Sequence, residues 1–230
     1  MTETTDPTSG AATRIILVRH GESVANAGGR TADHISNPLT LLGQAQSRDF
    51  ARRLDCEPTL FVTSPFLRAQ QTAEPLRQQF PRVPIEEWPI YEFNFLEPSR
   101  HNNTTETDRE PHVVDYWHRL DPEFTDGPGA ESFRVFLDRA REAARRLESR
   151  NPGGCIVIFT HGFFMQAFRL VLLFPEATDA ELMANFRRFH LVNLIRNTDS
   201  LEFELRSGKI RLIGQPYLQH FTLQGENSHA

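Results

Sequence analysis

Lysine is almost missing from this chain of 230 residues: Lys209 is the only one, and every other basic side chain of the 25 is arginine. Cysteine is nearly as scarce, with Cys56 and Cys155 alone. Two thiols so far apart exclude a disulfide-stapled miniature fold. Buried or half-buried free thiols in a reducing compartment are expected, a Cys56–Cys155 disulfide being the less favoured alternative. No apolar stretch approaches the roughly 18–20 residues that a membrane helix needs. Met1 to Thr13 is polar and acidic, without the apolar centre of a signal peptide. A cytoplasmic location and no membrane partner are therefore expected. Positive charge is not in excess either: the formal charge of −5 offers no basic surface for nucleic acid. The arginine surplus reads mainly as compositional bias, leaving a few guanidinium forks for anion recognition. Internal repeats and low-complexity tracts are absent.

What is present suits one soluble globular domain with room for an insertion: 39% of the residues are apolar and 24% charged. Residues 1–12 read as a disordered leader and 224–230 as a loose tail around a domain over 13–223. Within it, strands are expected at Ile15–Arg19, Thr59–Thr63, Ile85–Trp88, Cys155–Thr160, Leu191–Arg196, Leu201–Arg206 and Ile210–Ile213. Helices are expected over Thr40–Leu54, Pro65–Phe80 with Ser64 as its cap, Pro111–Leu120, Ser132–Ser149, Phe163–Phe174 and Asp179–Arg187. The alternation predicts an α/β fold, a three-layer α/β/α sandwich with a mainly parallel central sheet. Residues 89–130, rich in Asn, Thr, Pro and Asp, read as an insertion over the active-site edge.

Reactive groups collect where apolar strands end. Ile15-Ile16-Leu17-Val18 runs into Arg19-His20-Gly21-Glu22-Ser23, and Cys155-Ile156-Val157-Ile158-Phe159 into Thr160-His161-Gly162. Between them, Thr63-Ser64-Pro65 leads to Arg68. A single histidine at a strand end means little among nine. Two, each preceded by an apolar strand and followed by a glycine that lets the backbone turn tightly, are hard to place by accident. Ligands of open α/β sheets bind at the carboxyl ends of the strands.

Arg19-His20-Gly21-Glu22, the segment Ser64-Pro65-x-x-Arg68-Ala69-x-Gln71-Thr72-Ala73 and the distal His161-Gly162 resemble the histidine phosphatase superfamily, the phosphoglycerate-mutase-like group. The resemblance covers residues 14 to about 213 in the expected order. It implies a nucleophilic His20 that becomes phosphorylated and then releases phosphate to water, within a phosphate pocket formed by Arg19, Arg68 and His161. It also implies a general acid/base carboxylate after the third strand, a slot that Glu92 fits and for which Glu97 is the rival. Beyond Glu92 the chain departs from the family's commoner pattern, reading Phe93-Asn94-Phe95-Leu96-Glu97-Pro98. Ser23 and Asn26 match positions beside the phosphate in relatives, with turn-shaping as the plainer alternative. Arg100, His101 and Asn102, just past the acid, are candidates for substrate specificity, with a solvated loop as the alternative.

The chemistry agrees with these implications. Neutral imidazole is a competent nucleophile near neutral pH. Phosphoryl transfer is accelerated mainly by positioning and by charge around three oxygens, for which arginine's planar fork is suited. No cofactor or metal is implied, since His34, His101 and His112 lie scattered in loop-like sequence. The expected activity is metal-independent hydrolysis of a small phosphorylated substrate through a phosphohistidine. A mutase must clamp a bisphosphate, and residues 89–130 offer only Arg100, Arg109 and Arg119 for that. A binding module without catalysis is a further alternative, and homo-oligomerisation is left open.

Overall fold

In the computed structural model, residues 12–30, 33–150, 153–214 and 221–224 are described. The expected leader, apart from Ala12, and the tail beyond Gln224 lie outside these residues. Six strands form one sheet in the order β3-β2-β4-β1-β5-β6. They are β1 (Thr13–Arg19), β2 (Pro58–Thr63), β3 (Ile85–Glu87), β4 (Gly154–Thr160), β5 (Ser200–Arg206) and β6 (Lys209–Leu212). β1, β2, β3 and β4 run parallel, while β5 and β6 pair antiparallel along one side. The sheet is thus mixed and mostly parallel.

Alternation along the strands explains the layers, because successive side chains of a strand point to opposite faces. Ile15, Leu17, Ile156 and Ile158 bury themselves in one apolar cluster, and Ile16, Val18, Val157 and Phe159 in another. Helices α1 (Leu41–Arg53) and α2 (Leu67–Gln79) cover the second face. The first is covered by α4 (Glu106–His118), α5 (Phe133–Glu148), α6 (Gly162–Leu173) and α7 (Asp179–Val192). A four-residue α3 (Pro98–His101) completes the helices among the described residues. α5 shows the logic most clearly. Phe133, Phe136, Leu137, Ala140, Ala144 and Leu147 recur at helical spacing and all are buried, and Ser132 caps its first turn.

Several expectations need correction. α4 starts at Glu106, five residues before Pro111, because Thr105 and Asp108 form a reciprocal capping box. The Leu191–Arg196 stretch is no strand. α7 continues to Val192, Leu191, Val192 and Leu194 stand exposed, and the edge of β1 is taken by β5. Ser64 does not cap α2, which opens after Phe66. Cys56 and Cys155 are joined in a disulfide, so the argument from free thiols to a reducing compartment no longer holds. The bond follows from sheet order: β2 begins two residues after Cys56, and Pro58 pairs with Cys155 in β4. No helix among the described residues is long and apolar enough to cross a membrane.

Candidate active site

Three adjacent parallel strands end at one edge. Arg19 of β1 lies in register with Thr160 of β4, and Thr63 of β2 with Phe159. The residues that follow, His20, His161 and Ser64, therefore arrive side by side. The first turn of α2 adds Arg68. The ring centroids of His20 and His161 are 5.1 Å apart.

The turn carrying His20 is fixed from several sides. Its amide donates to the Thr160 carbonyl, and Asn197 Nδ2 donates to its own carbonyl at 3.0 Å. The Gly21 amide donates to Thr72 Oγ1 at 3.0 Å. A Cβ on Gly21 would stand 2.5 Å from the Gly43 carbonyl oxygen, and one on Gly43 would overlap the Glu22 carbonyl oxygen. Only glycine at both positions lets the first turn of α1 pack directly on this loop.

His20 Nδ1 lies 2.7 Å from the Gly21 carbonyl, which can only accept, so this nitrogen carries the proton. Nε2 is left with its lone pair and accepts from Arg68 Nε at 3.2 Å. Burial, followed by the neighbouring Arg68 and Arg19 guanidinium groups, holds the imidazole well below its usual titration range. Although only 3% exposed, His20 lines a cleft of about 120 Å³. Arg19, Ser23, Asn26, His34, Asn37, Arg68, Glu92 and Arg109 line it too, with Ala25 and Asp33.

His161 is fully buried and reaches this cleft through the His20 ring rather than by lining it. Its Nε2 is 2.8 Å from Ser64 Oγ, and its Nδ1 is buried without a hydrogen-bond partner. Desolvation and then Arg68 depress its basicity as well. Arg19 donates through one Nη to the Ile195 carbonyl at 2.6 Å, while its buried Nε has no partner. A buried unpaired donor is costly, and the Arg19 Nε is one on a side chain that lines the cleft. Burial lowers the Arg68 pKa to about 10, still far above neutrality.

Glu92 accepts from the Phe163 amide in the first turn of α6, at 3.1 Å, and from the Phe93 amide at 3.1 Å. Its segment is anchored twice. Thr160 Oγ1 donates to the Ile90 carbonyl at 2.6 Å, and the nearly buried Arg139 donates to the Pro89 and Tyr91 carbonyls while pairing with Glu131. Glu97 is placed elsewhere, in an ion pair with Arg100 at 2.6 Å, and does not line the cleft. Ser23 and Asn26 line the cleft and also shape the turn, Ser23 Oγ donating to Asn26 Oδ1 at 3.1 Å.

The specificity candidates Arg100, His101 and Asn102 are not brought into the cleft. Arg100 is drawn to Glu97 and Asp126, and His101 is buried against His112. Arg109 and His34 stand there instead. Sequence reasoning had Arg109 only as a candidate bisphosphate clamp, His34 as a scattered histidine and Ser64 as a motif residue and helix cap, and it missed Asn197 and Arg139. For Ser64 a signal existed, since it follows directly on an apolar strand parallel to the one bearing His161. No local signal marks the others. Among the described residues no group of histidine, cysteine and carboxylate side chains could hold a metal ion.

Comparison with known proteins agrees with this architecture. Residues 15–212 match the family described as the histidine phosphatase superfamily (branch 1). A metal-independent phosphoserine phosphatase of Arabidopsis thaliana is 26% identical over 188 residues, covering 78% of this chain and 76% of that protein. A probable phosphoglycerate mutase of Photorhabdus laumondii is 29% identical over 153 residues, covering 65% and 69% respectively. Among solved structures, a putative α-ribazole-5′-P phosphatase of Escherichia coli superposes with a TM-score of 0.68 at 21% identity, covering 87% of this chain and 94% of its own. The chain belongs to the histidine phosphatase superfamily and is a phosphatase of the histidine phosphatase type.

Proposed function

We propose that this protein hydrolyses small phosphomonoesters without a metal ion, through a phosphohistidine on Nε2 of His20. The observation that carries this reading is the pairing of His20 Nδ1 with the Gly21 carbonyl, which leaves a lone pair at Nε2 facing the cleft. Nε2 attacks phosphorus in line with the ester oxygen, and the P–O bond breaks. Glu92 gives its proton to the departing oxygen, then takes one from the water that attacks the phosphohistidine. Phosphate leaves, and both groups return to their starting states. Arg19 and Arg68 offset the charge on the transferring oxygens. With Ser64 Oγ donating to Nε2 of His161, its Nδ1–H becomes the third donor.

A small phosphorylated metabolite as substrate is consistent with the relatives, one of which is named for phosphoserine. Hydrolysis is favoured over the mutase reaction named for another relative by the fate of the arginines in the insertion. Arg100 pairs with Glu97 and Asp126, and Arg119 with Asp115, so of the three only Arg109 reaches the cleft, one charge where a bisphosphate needs several. The test is phosphate release from p-nitrophenyl phosphate with and without chelator, beside the His20→Ala protein. Turnover that survives chelation and is abolished in the variant supports the proposal. Turnover by His20→Ala at the wild-type rate overturns it.

A further inference from the structure

Glu92 rides on a stretch of chain that no ladder holds. β3 ends at Glu87, and residues 88–97 form neither strand nor helix. Backbone polar groups there must find partners elsewhere, and one ion pair supplies most of them. Arg139 of α5 donates from one Nη to the Pro89 carbonyl at 2.8 Å and to the Tyr91 carbonyl at 3.0 Å. Its other Nη and its Nε pair bidentately with Glu131. Glu131 then takes the far side of the acid. Its carboxylate accepts from the Asn94 amide at 3.0 Å, and its own amide donates to the Asn94 carbonyl at 2.9 Å.

Stability alone does not account for this pair. Both side chains are only 9% exposed, whereas every other ion pair between described residues leaves at least one partner about a third exposed or more. Buried ion pairs seldom stabilise a fold more than apolar side chains of the same volume would. What this one supplies is position. The Arg139 Cζ also lies 3.8 Å from the centroid of the Tyr91 ring, so the plane of the fork is fixed along with its bonds. Position matters because a misplacement of about 1 Å can cost a reacting group about 10²-fold.

Resting on the hydrolase reading, we infer that the Arg139–Glu131 pair positions the general acid, clasping the backbone on both sides of Glu92 so that its carboxyl meets the departing ester oxygen. Neither side chain lines the cleft, so both act through Glu92. The Phe163 amide then has only to orient a carboxyl already delivered to it.

Phenyl phosphate and p-nitrophenyl phosphate test this, because they share a ring and the first depends far more on a proton for its departing oxygen. In Arg139→Gln, kcat/KM for phenyl phosphate should fall by about 10- to 100-fold and that for p-nitrophenyl phosphate by no more than about threefold. Arg139 also bears on His161 through its charge, an influence that would slow both esters alike. Glu131→Gln, which keeps an oxygen for the Asn94 amide but breaks the ion pair, should show the same selective loss. Near-ultraviolet circular dichroism checks that each variant is folded. Where Arg139→Gln does not fold, Glu131→Gln and Arg139→Lys, which keeps the charge without the fork, carry the test. In the Glu92→Gln background no variant of the pair should deepen the selective loss, since both would act through one group. A selective loss in Glu92→Gln that the variants of the pair do not reproduce overturns the inference and leaves the hydrolase and its acid standing. A selective loss that recurs undiminished on top of Glu92→Gln also overturns it, because the pair then acts elsewhere. No selective loss in Glu92→Gln itself removes the acid role and the inference together, while His20→Ala reads the nucleophile apart from both.

Discussion

Arg68 donates from Nε to Nε2 of His20 across 3.2 Å, so the cation that would grip the phosphoryl group also holds the nucleophile's lone pair until substrate arrives. Arg68→Ala loses both services. Its kcat should fall by at least about 10²-fold, the usual consequence of deleting one preorganised charge donor. A loss below threefold in steady-state assays would remove Arg68 from the reaction.

Burial and two guanidinium groups depress His20, and His161 is treated alike. In ¹³C-histidine NMR of the free protein both rings should therefore remain neutral through pH 6.5 and titrate only well below it. Either ring titrating at or above its ordinary value contradicts the site's electrostatics.

The same sign governs stability. His190, desolvated and near Arg19, is lowered to about 4. A group with a folded pKa below its unfolded value binds its proton more readily in the unfolded chain. The folded state then loses ground as pH falls from about 6.5 towards 4. Urea unfolding midpoints should drop over that window, with a shallower slope in His190→Phe.

Glu92 and Glu97 are separable by leaving group. Glu92→Gln should slow hydrolysis of alkyl phosphates far more than that of p-nitrophenyl phosphate, because the latter's phenolate departs without a proton. Glu97→Gln should show no such dependence, since Glu97 pairs with Arg100 outside the cleft. Equal slowing of both esters by Glu92→Gln would deny it the acid role.

The Cys56–Cys155 bond spans a sequence separation of 99 residues. Reducing it should lower the unfolding free energy by about 2–5 kcal/mol, measured by urea titration with and without reductant. An unchanged midpoint would mean that the bond restrains little in the unfolded chain.

Much of this site was legible in the sequence because its carriers are the most regular parts of the fold. Ile15–Val18 and Cys155–Phe159 are apolar runs that can only be central strands, and each delivers its histidine directly before a glycine. Glu92 was named from the resemblance, and it lines the cleft and accepts from the Phe163 amide, whereas Glu97 does not line it. What escaped depends on contacts between distant segments. Arg100, His101 and Asn102 are near Glu92 in sequence, but α3 ties Arg100 to Asp126. Arg109 comes round on α4 instead. The disulfide was the less favoured alternative because cysteine spacing does not say that β2 and β4 are neighbours. The Leu191–Arg196 stretch misled for a different reason, since Leu191, Val192 and Leu194 are apolar yet exposed.

The crossing of Gly21 and Gly43, with no space for a methyl group on either, ties the nucleophile's loop to α1, the helix that follows it. Variation at one of these positions cannot be remedied at the other, because each faces backbone rather than a replaceable side chain. Evolution of new preferences in such a scaffold is thereby channelled away from the attacking ring and into the polar excursion that supplies Arg109, where sequence can drift without displacing the reacting atom.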